Sequence, residues 1–176
     1  MKIQKILAGL FICFFTLHVF SQEQVVYDSS IGYHNGFLGS SESAEDSDPL
    51  LVNGWLGQAL DFDGVDDYVT IPDTDGSILD IAGGPLTISM WVNPDTQSEI
   101  GEVRSIAGKG NTQFMLGQSD NGWEFLIYDG ENELKVTSDD QPSTGEWTHL
   151  VGRFDPESDD VSLWVNGEKQ NDTGVS

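Results

Sequence analysis

The chain is poor in cysteine and in basic residues. Its one cysteine, Cys13, lies in an apolar N-terminal run. The rest of the chain therefore has no thiol for a disulfide, a cysteine-ligated metal site or a thiol nucleophile. Seven Lys+Arg stand against 30 Asp+Glu, a formal net charge of -23. This imbalance favours solubility and repels nucleic acid and anionic membranes, and it leaves cations, neutral glycans and basic proteins as partners.

Helical periodicity is also absent beyond the N-terminal run. Alternating apolar and polar residues recur instead in short segments separated by Gly, Asn and Asp, a pattern typical of an antiparallel all-β sandwich. Leu86, Ile88, Met90 and Val92 are predicted to face the core together. The segments interpreted as strands are 60–62, 69–71, 86–92, 104–107, 113–117, 123–128, 133–137 and 161–165.

The N-terminal segment has the layout of a secretory signal peptide. Lysines precede an apolar run from Ile6 to Phe20, and Val19 and Ser21 lie three and one residues before a cleavage point at Gln22. We therefore predict a signal peptide over 1–21, a secreted or cell-surface protein, and no membrane insertion after cleavage. The alternative is an uncleaved anchor, for which the run is short compared with the ~20 apolar residues of a membrane span.

The stretch LDFDGVDDYVTIP, residues 60–72, is the most informative motif. Leu60 and Phe62 alternate onto one face of a first strand, and Val69 and Ile71 onto one face of a second. Asp63-Gly64 predicts a tight acidic turn between them, because Gly accepts positive φ and Asp can bond its own backbone.

Three later segments accompany this motif. They are LTISMWVNP (86–94), GEWTHLV (145–151) and VSLWVNGE (161–168). In order and spacing the four resemble a laminin-G-like domain, the jelly roll shared with concanavalin A-like lectins and glucanases. The resemblance covers roughly residues 25–176. It implies a two-sheet antiparallel jelly roll and a role in extracellular recognition. It also implies further strands, so the domain over 22–176 is expected to be incomplete at its C-terminus, with its last strands missing.

A candidate metal site lies in the acidic turn. Calcium takes six to eight hard oxygen ligands from carboxylates and carbonyls. Asp63, Asp66 and Asp67 are the candidate ligands, in a spacing that is not that of an EF-hand. The resemblance implies that calcium is a possible cofactor, since many domains of the family bind it. The alternative is a charged hairpin turn without an ion.

Two tryptophans are candidate ligand-binding residues. By alternation Trp91 and Trp164 lie opposite the apolar faces of their strands, beside Ser, Thr and Asn. Aromatic faces stack on sugar rings, so both could form a glycan platform. The alternative is packing beneath a loop or a covering strand. Trp55, Trp123 and Trp147 are interpreted as packing residues.

No catalytic site is predicted. Retaining glucanases on the resembled fold carry an E-x-D-x-x-E strand, which no window here matches, and His149 in WTHL is interpreted as structural. The sequence thus predicts a secreted, non-catalytic recognition or adhesion module that binds a glycan or an extracellular protein, with calcium as a possible aid. Two alternatives stay open. One is an accessory module of a larger secreted hydrolase whose catalytic residues lie elsewhere, and the other is a structural spacer.

Overall fold

A computed structural model describes residues 5–7, 24–30, 34–73, 79, 84–109, 113–128 and 133–171. Most of the predicted signal peptide lies outside these residues. Within them the regular elements are β-strands, and none is a helix long and apolar enough to cross a membrane. In chain order the strands are β1 (Lys5–Leu7), β2 (Val25–Val26), β3 (Gly36–Leu38), β4 (Leu50–Asn53), β5 (Gln58–Asp61), β6 (Val69–Thr70), β7 (Leu86–Asn93), β8 (Val103–Lys109), β9 (Phe114–Ser119), β10 (Trp123–Tyr128), β11 (Glu133–Thr137), β12 (Thr148–Asp155), β13 (Asp160–Val165) and β14 (Glu168–Lys169).

Two antiparallel sheets form the body of the domain. The larger has the order β14-β13-β12-β7-β1-β5-β4, and the smaller has the order β11-β10-β9-β8. Their inner faces share one core, with side chains from β7, β12 and β13 packed against side chains from β9, β10 and β11. This arrangement confirms the predicted all-β concanavalin A-like sandwich.

The core follows the alternation read from the sequence. Met90 and Val92 are buried, and Leu86 and Ile88 pack against the same cluster, as predicted. The two sheets approach each other closely at Gly152 on β12. A Cβ atom built there would lie 2.4 Å from Cδ2 of Phe125, whose side chain is fully buried. Only glycine leaves room for this aromatic ring.

The outer face of the larger sheet carries the residues that alternate along each strand with the core-facing residues. Strand register places Trp91 opposite His149, and Ser89 opposite Val151. On the next strand Trp164 lies opposite Val151. Because paired residues share a face of the sheet, these side chains form one outward-facing row.

The acidic turn lies between two strands, as predicted, but it is not the hairpin that stood as the alternative to a metal site. Strand β5 pairs with β4 and β1 in the larger sheet, whereas β6 pairs with β3 in a separate sheet of order β2-β3-β6. The turn is therefore a crossover between sheets. Gly64 has φ of 74°, so it supplies the positive φ predicted for the turn.

Most other strand predictions agree with the structure. Strands β10 and β11 have the predicted bounds, while β8 and β9 extend beyond theirs by one to two residues at most ends. Asn166 and Gly167, with φ of 52° and 84°, form the tight turn between β13 and β14. Positive φ at both central residues is the hairpin geometry that an Asn-Gly pair favours.

Candidate recognition face and metal site

An aromatic stack lies on the outer face of the larger sheet. Trp55, in the loop between β4 and β5, stacks on Trp91 of β7 with ring centroids 5.4 Å apart and planes inclined by 21°. Trp91 in turn lies 5.0 Å from the ring of His149, tilted by 31°. Trp55 is 61% exposed, whereas the other two rings are partly buried. The ring available for stacking on a ligand is therefore that of Trp55, and we call these three side chains the aromatic row.

Two polar contacts hold His149, the member of the aromatic row that lies on the other side of Trp91 from Trp55 in the order of contacts. The Nε2 atom of His149 lies 2.8 Å from the Ser89 hydroxyl, and its backbone N–H donates to the Asn166 side-chain oxygen at 2.9 Å. These two contacts fix the position of the His149 side chain beside the Trp91 ring. The Ser89 hydroxyl and the imidazole together present donors and acceptors next to an apolar ring surface.

The Ser89–His149 pair lacks the surroundings of a hydrolytic site. Among the described residues no hydrogen bond joins His149 Nδ1 to a carboxylate that would orient the ring. Both residues lie within paired strands, and the His149 backbone N–H is already bonded to the Asn166 side chain.

Trp164 does not join the aromatic row. It lies two strands and two residues from Trp91, a separation of roughly 12 Å from standard strand spacings. The Lys169 ammonium lies 5.7 Å from its ring centroid and is also 3.9 Å from Asp160. The structure therefore separates the two predicted ligand-binding tryptophans and places a cation over one of them.

Trp55 was wrongly interpreted as a packing residue. It is one of several exposed apolar side chains in β4 and the loop after it, with Leu50 (69%), Leu51 (40%) and Leu56 (81%). The signal lay in Gly54-Trp55-Leu56-Gly57, where flanking glycines indicate a turn that projects its side chains outward. The prediction for Trp123, which is 2% exposed, is confirmed, and Trp147 is partly buried.

The three predicted metal ligands do lie together. One carboxylate oxygen from each of Asp63, Asp66 and Asp67 lies within 4.8 Å of the others. Asp63 Oδ1 accepts hydrogen bonds from Val65 N at 2.7 Å and Asp66 N at 3.3 Å, and Asp67 Oδ2 accepts one from Asp63 N at 2.7 Å. Side chains that bond their own backbone in this way build the tight crossover.

In this acidic cluster of Asp63, Asp66 and Asp67, the pKa values of Asp63 and Asp67 are shifted in opposite directions. The backbone N–H of Val65 lowers the pKa of Asp63. Burial raises the pKa of Asp67 above its ordinary value, and the negative charges of Asp63, Asp66 and Asp48 raise it further, against the opposing hydrogen bond from Asp63 N. An uncompensated negative charge at Asp67 is thus unfavourable in the folded protein.

Asp48 is a further carboxylate whose charge acts on Asp67, and the sequence alone did not link it to the cluster. Its Oδ2 accepts a hydrogen bond from Glu45 N at 2.7 Å, while its Oδ1 is buried without a hydrogen-bond partner. It lies in the serine-rich segment 40–48, which has no spacing that would link it to the acidic cluster. A buried carboxylate oxygen with no hydrogen-bond donor suits a cation. The cluster together with Asp48 therefore fits calcium in donor chemistry.

The comparisons with known proteins agree with this fold. A model of the concanavalin A-like lectin/glucanases superfamily, of the laminin G type, matches residues 63–176. Pentraxin-related protein PTX3 of Homo sapiens is 36% identical over 64 residues, covering 31% of this chain and 17% of that protein. The chain thus spans under a fifth of the length of the curated relative that it matches. No solved structure gave a significant match. The family match covers well over half of the chain, and the protein therefore belongs to the concanavalin A-like lectin/glucanase superfamily, as a laminin-G-like domain.

Proposed function

We propose that this protein is a secreted, non-catalytic recognition module that binds a neutral glycan through the aromatic row. Domains of its family often mediate binding of carbohydrate or protein and are typically non-catalytic. The observation that carries the proposal is the Trp55 ring, 61% exposed and stacked on Trp91. A preformed, rigid aromatic surface binds a sugar face with little loss of conformational freedom.

The net charge of the protein limits which glycans we expect it to bind. The formal net charge of -23 opposes sulfated and sialylated chains. Ser89 and His149, beside Trp91, offer hydrogen-bonding groups suited to sugar hydroxyls. A hexopyranose with an apolar face and equatorial hydroxyls satisfies both the ring and its polar neighbours.

A protein partner is the second candidate, favoured by a separate observation. Leu50, Leu51 and Leu56, in β4 and the loop that carries Trp55, are also exposed apolar side chains. Exposed apolar side chains on an acidic protein fit a partner that brings apolar side chains within a basic rim. Either ligand is compatible with an adhesion domain or with an accessory module of a larger secreted hydrolase.

A binding screen separates these candidates. The full chain should be applied to an array that holds neutral, amino and sulfated glycans, and in parallel to basic extracellular proteins. We expect signal on neutral hexopyranoses that is lost in Trp55→Ala. Signal on proteins alone would replace the glycan proposal with the adhesion one. Release of sugars during incubation would contradict the non-catalytic assignment.

We also propose that the acidic cluster and Asp48 bind calcium. Asp63, Asp66, Asp67 and Asp48 would hold the ion, which would compensate their mutual repulsion and thereby stabilise the crossover between the two sheets. Calcium should then raise the melting temperature of the chain. Titration without a thermal shift and without heat of binding would contradict this proposal.

The substitution Asp67→Asn tests the electrostatic basis of that site. The amide keeps an acceptor for Asp63 N but removes the charge. Since a raised folded pKa makes ionisation unfavourable to folding, the stability contribution of Asp67 is full below its ordinary pKa and is lost as pH rises through the folded value. We therefore expect the variant to melt higher than the parent at pH 7 without calcium, and to lose the calcium-induced shift.

The matched control is Asp66→Asn, which removes a cluster charge from an exposed side chain. It should weaken the calcium response but stabilise the calcium-free chain less than Asp67→Asn does. Calorimetric melting at pH 3 and pH 7, with and without calcium, provides the comparison. A metal-free Asp67→Asn chain that melts below the parent at pH 7 would show that the Asp67 charge supports the fold.

A further inference from the structure

Four Asn-Gly pairs occur in the chain, at residues 35–36, 53–54, 121–122 and 166–167. In such a pair the backbone nitrogen of the glycine can attack the side-chain amide carbon of the asparagine, because glycine has no Cβ to hinder the approach. Attack requires the peptide plane between the two residues to rotate. Packing and hydrogen bonds around each glycine therefore decide which of the four pairs can react in the folded protein.

Three of the pairs are restrained by contacts of the glycine. Gly36 is buried in β3, and a Cβ built there would lie 3.2 Å from a backbone oxygen of β6. The Gly54 N–H, the nucleophile of the second pair, already donates to the Gly57 carbonyl oxygen at 2.9 Å. Gly122 is buried, and a Cβ built there would lie 2.5 Å from the Ser138 Oγ atom. These contacts resist rotation of the peptide plane.

The pair Asn166-Gly167 differs from the other three. Both residues are exposed, and nothing lies within 4 Å of a Cβ built at Gly167. Among the described residues, no group accepts a hydrogen bond from the Gly167 N–H. Strand β14, which follows the turn, has only two residues, both exposed and at the edge of the larger sheet. The turn can therefore open locally at little cost, and its peptide plane can rotate.

The side-chain amide of Asn166 is also placed for the reaction. Its Oδ1 atom accepts a hydrogen bond from the His149 backbone N–H at 2.9 Å. A donated N–H draws electron density from the amide carbon and makes it a better electrophile. The Nδ2 atom, which must leave, has no hydrogen-bond partner in the described part of the chain. The nucleophile and the leaving group are thus both free.

We propose that Asn166 is a site of spontaneous deamidation, and that the modification alters the protein beside the aromatic row. The Gly167 nitrogen loses its proton to solvent and forms a bond to Cγ of Asn166. The Cγ–Nδ2 bond breaks, and ammonia leaves with a proton from water. Water then opens the resulting succinimide ring at one of its two carbonyl groups. The product is aspartate or isoaspartate, and water is the only co-reactant.

The two products have different structural effects. Aspartate keeps an oxygen that can accept the His149 N–H, but it adds a negative charge next to a member of the aromatic row. Isoaspartate carries the backbone through the former side chain and so adds one atom to a two-residue hairpin, whose geometry depends on positive φ at both central residues. The β13–β14 pairing and the contact with the His149 N–H should then be lost. The deamidation itself stands whether or not the aromatic row binds a glycan.

Peptide mapping by mass spectrometry of the full chain tests the site. The chain is incubated in mildly alkaline buffer, which favours the deprotonated nitrogen, once folded and once in urea. The rate in urea gives the reactivity of each Asn-Gly pair without the fold. We expect Asn166 to react when folded at close to its rate in urea, and the other three asparagines to be slowed at least about tenfold. Slowing of Asn166 as strong as that of the others would overturn the proposal.

Hydrogen exchange tests the structural consequence. The isoaspartate form is separated by chromatography, and exchange is compared at the amides of His149 and Gln170, which donate to Asn166 Oδ1 and to the Leu163 carbonyl oxygen. Both amides should exchange faster than in the parent. The variant Asn166→Asp should keep slow exchange, and Asn166→Gln, whose longer side chain disfavours ring closure, should not be modified. Unchanged exchange in the isoaspartate form would contradict the proposed effect beside the aromatic row.

Discussion

Replacement of Gly152 by alanine is expected to destabilise the domain by about 2–3 kcal/mol, near the upper end of the usual cost of overpacking a core. The added Cβ would lie 2.4 Å from Cδ2 and 2.6 Å from Cγ of Phe125. The ring cannot move aside, because its side chain is fully buried between the sheets. Urea unfolding of parent and variant measures the difference through the midpoint at constant slope.

The second-site change Phe125→Leu serves as the control for this mechanism. Alone it leaves space in the core and lowers stability, but it also removes the ring atoms that the new methyl group would meet. The double variant should therefore lose less than the sum of the two single losses. Strict additivity would show that a methyl group at position 152 does not meet the Phe125 ring.

Loss of the Trp55 ring is expected to weaken ligand binding about tenfold, equivalent to about 1.4 kcal/mol. Trp55→Ala removes the exposed member of the aromatic row, and because the side chain is 61% exposed the fold should persist. Isothermal titration with the glycan identified on the array measures the change. A melting curve close to the parent curve must accompany it, so that lost affinity reports on the site.

Trp164→Ala is the matched control. This ring is also on the outer face, but Lys169 lies over it and it is roughly 12 Å from Trp91. We expect its removal to change affinity less than twofold. A larger loss for Trp164→Ala than for Trp55→Ala would move the site toward β13 and restore Trp164, a candidate from the sequence, as a ligand-binding residue.

The sandwich was predictable because alternation and turn chemistry act locally. Strands β10 and β11 have the bounds expected from their patterns, and Asn166-Gly167 forms the hairpin that its φ requirements favour. Which strands pair with each other is not determined by local sequence. Asp63-Gly64 forms its turn, yet β5 and β6 on either side join different sheets. Nothing in a short alternating motif specifies which distant edge each strand will meet.

The candidate site was predictable only in part, for the same reason. Asp63, Asp66 and Asp67 are close in sequence and lie together, whereas the effect of the Asp48 charge on the pKa of Asp67 depends on the fold. Alternation placed Trp91 on the outer face, but the stack with Trp55 depends on a loop that reaches across from β4 and β5.

The central claim, that ligand binds on the aromatic row, is tested most directly by the tryptophan indole N–H resonances of the full chain during titration with a neutral glycan. The five tryptophans serve as separate reporters, assigned by single substitutions. We predict that the Trp55 and Trp91 signals shift together and saturably, while the buried Trp123 does not move. Saturable binding that leaves Trp55 and Trp91 unshifted would contradict the account.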